Sequence, residues 1–279
     1  MFPFSLLSGI PFHQVEERVG KIISGNKGKD PDSQISRSIL ALLDLTSLEG
    51  TDTNAKIREL CKKALSFKDK GLPYPAAVCI YPPFIRSARE VLQNSGIKIA
   101  ITAGSFPSGQ MPISIKLEEI RFALDEGADE VDVVISRGTF LEGKHHVVFR
   151  ELDAMRELTR GHTLKVILET GELDTFQNIA KASEIAIEAG ADFIKTSTGK
   201  IHPAATETAV FIMLNVIKSH FIKTGKKVGI KPAGGISDPR QALNYYSLVE
   251  EVLGDDWLQP GLFRIGASRL ADRLVEQCK

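Results

Sequence analysis

Cysteine is scarce in this chain: Cys61, Cys79 and Cys278 are odd in number, widely separated and form no CxxC pair. That argues against a disulfide framework or a structural zinc and for a reducing compartment. Net charge is missing too, since 35 Lys and Arg balance 35 Asp and Glu with no run of one sign. Neither a nucleic-acid groove nor an anionic membrane surface is therefore expected as a partner. No apolar run approaches the roughly 20 residues that span a bilayer. The start, "MFPFSLLSGIPFH", has no basic leader and is broken by Pro3, Gly9 and Pro11, a poor signal peptide, so a cytoplasmic protein is expected. The histidines His13, His162, His202 and His220 are scattered, and the pair His145-His146 has no third ligand at metal spacing, so the expected chemistry needs no metal.

What is present is a repeating alternation. Apolar runs rich in Val, Ile and Leu occur at 38–45, 76–81, 98–104, 130–136, 164–170, 192–197, 227–233 and 262–268. Between them lie segments of helical periodicity such as 55–67, 117–126, 149–159, 175–188 and 206–223. Gly127 and Gly190 stand where helices end ahead of the next run, as C-capping glycines do. Eight strands separated by helices imply parallel pairing and a (β/α)₈ barrel over residues 36–279. A doubly wound open sheet is the competing arrangement, but the first crossover lacks the GxGxxG turn of a dinucleotide-binding version. Residues 1–35 read as an N-terminal extension with one short helix near 15–23 and a polar linker, "SGNKGKDPDS".

Charge inside these runs is the chemical signal. Asp44, Cys79, Asp132, Glu169, Lys195 and Lys231 occupy strand ends whose neighbours are mostly apolar, and barrels project catalytic side chains from such ends. If Lys195 and Lys231 sit on adjacent strands, two cations share one low-dielectric space, and both desolvation and a like charge favour a neutral, nucleophilic amine. Lys195 then reads as an imine-forming lysine, Lys231 as the neighbour that keeps it partly unprotonated, and Asp132 as a carboxylate that moves protons through water. Open alternatives are an inert ion network, an acid/base pair of Asp132 and Glu169 isomerising a sugar phosphate, or a barrel that only binds.

A second cluster suits an anion. "TSTGK", "AGGIS" and "GAS" follow runs 6, 7 and 8 and lead into helices, where free backbone N–H groups and the helix dipole bind phosphate. A small phosphorylated substrate is the expected partner. "TSTGK" is no nucleotide P-loop, because Ile194 replaces its first glycine.

The segments "LDLT", "VCIYP", "GADEVDVV", "ETGEL", "GADFIKTSTGK", "KPAGGI" and "FRIGAS" resemble, in order and spacing, those of deoxyribose-phosphate aldolases. The resemblance spans about 36–275 and implies a class I aldolase without cofactor on a (β/α)₈ barrel. By motif, Lys195 corresponds to the Schiff-base lysine, Lys231 to its tuning neighbour and Asp132 to the proton-relay carboxylate. Asp44 corresponds to a substrate-hydroxyl contact and Cys79 to a site-lining position, while Thr198, Gly199, Lys200, Gly234, Gly235, Gly266 and Ser268 correspond to substrate and phosphate contacts. Some members end in a tyrosine that assists proton transfer; this chain ends "LVEQCK", which shifts the step to Asp132, Lys231 and water. Arg269 stands where some members have a second serine. The exposed helices of such a barrel also suit a homodimer.

Overall fold

The computed structural model describes residues 12–278. Two helices, α1 (Phe12–Ser24) and α2 (Ser33–Ala41), precede the sheet. The first half of the barrel runs β1 (Leu43–Thr46), α3 (Asn54–Asp69), β2 (Ala77–Ile80), α4 (Ile85–Leu92), β3 (Lys98–Ala103), α5 (Ile113–Asp125) and β4 (Glu130–Val134). The second continues with α6 (Arg137–Leu141), α7 (His145–Leu158), β5 (Thr163–Ile167), α8 (Phe176–Glu188) and β6 (Phe193–Lys195). It ends with α9 (Glu207–Thr224), β7 (Gly229–Lys231), α10 (Pro239–Leu253), β8 (Ile265–Ala267) and α11 (Leu270–Gln277). The strands pair in parallel in the order β8-β1-β2-β3-β4-β5-β6-β7. Bridges Ile230↔Phe263 and Ala233↔Gly266 join the two ends, so the sheet closes as the (β/α)₈ barrel expected from the alternation.

Period-two alternation explains how the barrel is held. Val78, Ile80, Ile99, Ile101, Val131, Val133, Leu164, Val166, Ile194 and Ile230 share one apolar core with helix faces that include Ile57, Cys61, Ala64, Ile120 and Ala123. These outward strand residues meet the surrounding helices and leave the alternate positions to line the interior. The glycines expected to end helices do so after α5 and α8: Gly127 and Gly190 adopt φ of 96° and 91°, a region costly for other residues.

One strand expectation needs correction. Residues 38–41 of the run 38–45 are helical, and the strand begins at Leu43. Asp32 caps α2 by accepting from the Ile35 N–H at 2.8 Å, and Ser36, Ile39 and Leu40 form its buried face. A short apolar run has the same composition in either state, and the cap lies upstream of it.

The helix expected near 15–23 is α1, which lies against α9 and α10 with Val15 and Val19 buried. Asn26 Nδ2 donates to Asn244 Oδ1 at 3.3 Å and to Ser247 Oγ at 3.0 Å, and Arg240 pairs with Asp30 at 2.8 Å. These contacts join α1 and its linker to the outer layer. Residues 1–11 of the expected extension lie outside the described residues. Among the described residues, no helix is long and apolar enough to cross a membrane.

Candidate active site

In most barrels the inward positions carry branched aliphatic side chains; here they carry charge. Glu130 and Asp132 enter from β4, Lys165 from β5, Lys195 from β6, Lys231 from β7, Asp44 from β1 and Arg264 from just ahead of β8. Asp132 is the hub. Its Oδ2 accepts from Lys195 Nζ at 2.8 Å and from Lys231 Nζ at 2.7 Å, and its Oδ1 from Lys165 Nζ at 2.9 Å. The register Ile167↔Lys195↔Lys231 places the two lysines side by side on adjacent strands, so both reach one carboxylate oxygen.

A second shell of pairs lies around the hub. Lys165 also binds Glu130 at 2.5 Å, Lys231 binds Asp44, and Arg264 spans Asp44 at 2.6 Å and Glu130 at 2.8 Å. Phe193 packs beside these cations, its ring centroid 5.7 Å from Arg264 Cζ and 6.0 Å from Lys165 Nζ. Gly229 makes room for that ring, since a Cβ there would lie 2.4 Å from it. The wall on β2 and β3 is small and apolar: Ala77, Cys79 and Ala100 pack with Leu48, Tyr81 and Phe106.

Burial opposes every charge in this cluster, and the partners overrule it. Desolvation alone would raise the Asp132 carboxyl, but Lys165, Lys195 and Lys231 hold it well below the carboxylate range. Asp44, held by Lys231, Arg264 and Lys165, and Glu130, held by Lys165 and Arg264, are likewise depressed against burial. Burial would lower Lys231, yet Asp132 and Asp44 lift it above the ordinary lysine range, and Lys165 rises against burial through Asp132 and Glu130. Lys231 is therefore a firm cation. The Cys79 thiol is raised, chiefly by burial, and is a poor nucleophile.

Above the cluster, at the C-terminal ends of the strands, opens a cleft of ≈ 150 Å³. Thr198, Gly199, Lys200, Gly234, Gly235, Gly266 and Ser268 line it, as do Lys195 and Arg269. Asp44 and Cys79 do not border it; both are fully buried, Asp44 within the ion network and Cys79 in the small apolar wall. The β6 and β7 loops meet through glycine, for a Cβ on Gly234 would fall 2.6 Å from the Ala204 Cβ and 2.9 Å from the Gly199 Cα. Lys200 reaches across the cleft, its Nζ donating to the Leu48 carbonyl and lying 3.5 Å from Glu49. The cleft thus combines three basic side chains, Lys195, Lys200 and Arg269, with the glycine and serine loops that lead into α10 and α11, an arrangement that attracts an anion.

Glu169 is placed apart from the hub. It has a left-handed φ of 57°, a strain on the order of 1–3 kcal/mol in a residue with a Cβ, and it is fully buried. Its carboxylate accepts from the Thr198 N–H at 3.1 Å, from the Thr198 hydroxyl and from Arg137 at 3.0 Å. Asp132 and Glu169 therefore serve different partners, which does not suit the acid/base pair of the isomerase alternative.

Reading strand ends alone passes over Lys165, Glu130 and Arg264, which lie deeper in the barrel. The alternation rule could have found them: Glu130 stands two before Asp132 and Arg264 two before Gly266, on the same inward face.

The model of the DeoC/LacD family aldolases matches residues 38–245 of the chain. The chain is 45% identical over 251 residues to the human protein named deoxyribose-phosphate aldolase, covering 85% of this chain and 79% of that one. The mouse protein of the same name is 44% identical over 251 residues, with the same coverage. A solved tetrameric deoxyribose phosphate aldolase from Aeropyrum pernix superposes with a TM-score of 0.71 at 25% identity, covering 93% of this chain and 96% of that one.

Proposed function

The chain belongs to the DeoC/LacD aldolase family, and from that membership and the geometry of the barrel mouth we infer a class I aldolase of deoxyribose catabolism. It reversibly cleaves 2-deoxy-D-ribose 5-phosphate to acetaldehyde and D-glyceraldehyde 3-phosphate through a lysine Schiff base. The observation that carries the residue assignment is the meeting of Lys195 and Lys231 on one oxygen of Asp132 directly beneath an anion-suited cleft.

Charge counting supports Lys195 as the nucleophile. The interior holds three carboxylates, Asp44, Glu130 and Asp132, against four cations, Lys165, Lys195, Lys231 and Arg264. A sealed low-dielectric space disfavours unmatched charge, so one cation is surplus. Lys195 is the one that borders the cleft and touches a single carboxylate, and it is the amine open to a substrate carbonyl.

In the cleavage direction the neutral Lys195 Nζ attacks C1 of the open-chain sugar. Lys231, whose ammonium shares an Asp132 oxygen with Lys195, protonates the carbinolamine hydroxyl, which leaves as water and yields a protonated imine. That cation withdraws electrons as the C2–C3 bond breaks, Asp132 takes the C3 hydroxyl proton through water, and an enamine remains. Protonation at C2 and hydrolysis release acetaldehyde. Loops 198–200, 234–235 and 266–268 hold the phosphate, so binding energy at the far end orients the reacting carbons. The three unpaired cysteines support a reducing compartment such as the cytoplasm.

Borohydride reduction in the presence of deoxyribose 5-phosphate is expected to leave a stable adduct on Lys195, located by peptide mass spectrometry. An adduct on another lysine would reject the assignment. Lys165→Met supplies a different check, because Lys165 sits beneath the site and does not border the cleft. Removing it takes one hydrogen bond from Asp132 and one from Glu130 and leaves the cleft lining intact. kcat should fall about 10- to 100-fold with KM within about threefold; an unchanged kcat would show that this deeper cation does not hold Asp132 in place.

A further inference from the structure

Glu169 has no place in the chemistry above, yet it is buried, adopts a left-handed φ of 57° and gathers three donors onto one carboxylate. We propose that Glu169 is the positioning residue of the phosphate subsite, acting through Thr198, and that Arg137 holds it in place. The proposal rests on the phosphate reading of the cleft and deepens it.

The contacts form a directed chain. Arg137 is anchored by the carbonyls of Pro107 and Ser108, each at 3.1 Å, and pairs with Glu172 at 3.0 Å. It donates to Glu169 Oε2, the same oxygen that accepts the Thr198 hydroxyl, while Glu169 Oε1 accepts the Thr198 N–H. The Thr198 oxygen in turn accepts the Lys200 N–H at 3.1 Å. Both donors of Thr198 are therefore drawn away from the cleft, and the chain is bent so that Gly199 at φ 78° forms the tip of the loop against Gly234. Among the described residues the Gly199 N–H has no acceptor, which leaves it available to an anion. A second tie fixes the same loop two residues before Thr198, the N–H of Thr170, the residue after Glu169, donating to the Thr196 carbonyl at 2.9 Å.

The direction of the bonds explains the residue type. A carboxylate has no hydrogen to donate, so all three donors can point at it. Glutamine would offer one acceptor and turn an NH₂ group toward either Thr198 or Arg137. Its size and backbone demands are otherwise the same, so the barrel should fold while the loop loses its anchor. The left-handed backbone at 169 follows from the same geometry, since the chain must turn sharply at the end of β5 to aim this side chain sideways at the β6 loop.

The test compares phosphorylated and unphosphorylated substrate. For Glu169→Gln, KM for deoxyribose 5-phosphate is expected to rise about 10-fold or more, with kcat within about threefold, the loss that accompanies one charge-assisted hydrogen bond. The inhibition constant of inorganic phosphate should rise in parallel, and kcat/KM for 2-deoxyribose should change by less than about threefold. Equal losses on both sugars, or a fall in kcat at constant KM, would overturn the proposal in favour of a general structural or a catalytic role. If Glu169→Gln fails to fold, Arg137→Met carries the same expected KM rise and the same reversal. A wild-type enzyme without preference for the phosphorylated sugar would instead sink the phosphate reading, and the proposal with it; that measurement is made first and separates the two failures.

Discussion

Lys195→Leu is expected to lower kcat for deoxyribose 5-phosphate cleavage by on the order of 10⁴-fold or more, because the other lysine lining the cleft, Lys200, is engaged with the Leu48 carbonyl and Glu49, away from Asp132. The loss should be chemical. Lys195 is 2% exposed and its loss removes the surplus cation, leaving Asp132 still bonded to Lys165 and Lys231. Three carboxylates then face three cations, so the usual penalty for orphaning a buried charge does not arise. The thermal midpoint should stay at or above that of the wild type, borohydride should trap no substrate adduct, and raising the pH should not restore turnover. Residual activity above about 1% of wild type in a folded variant would remove Lys195 from the mechanism and revive a non-covalent reaction.

Lys231→Leu is expected to cost about 10²- to 10³-fold in kcat near neutrality, and for a different reason. Lys231 is the firmly protonated partner of Asp132 and Asp44. Without it Asp132 and Asp44 each lose a partner, and the group that protonates the carbinolamine hydroxyl is gone, so imine formation slows. Borohydride should still trap substrate on Lys195, more slowly, whereas Lys195→Leu forms no adduct. Stability should fall by about 3 kcal/mol, since breaking a buried pair leaves Asp44 with weaker compensation. A folded variant that turns over and traps substrate at the wild-type rate would remove Lys231 from the mechanism.

Much of this arrangement was legible in the chain. Asp132, Lys195 and Lys231 stood out because a charge among Val and Ile is costly unless it is matched, and their positions at strand ends placed them at one mouth. The glycine loops were legible as anion sites for the same local reason, that small residues leave backbone N–H groups free. The boundary of β1 was not legible, because composition alone does not separate a short buried strand from the last turn of a helix whose cap lies upstream. Asp44 and Cys79 illustrate a further limit: their motifs are clear, yet whether a side chain borders the cleft or lies beneath it depends on what covers it from other strands.

The sequence by itself determined the period of the strands, hence a parallel α/β architecture, and which residue types carry charge into it. These are local matters of alternation and hydrophobicity. Only the tertiary structure decided how those charges balance. Lys165 and Arg264 lie 35 and 134 residues along the chain from Glu130, which both of them bind, and they meet because the sheet closes. Coulomb energy depends on distance through the folded interior, and that distance exists only once β8 has returned to β1 and β7.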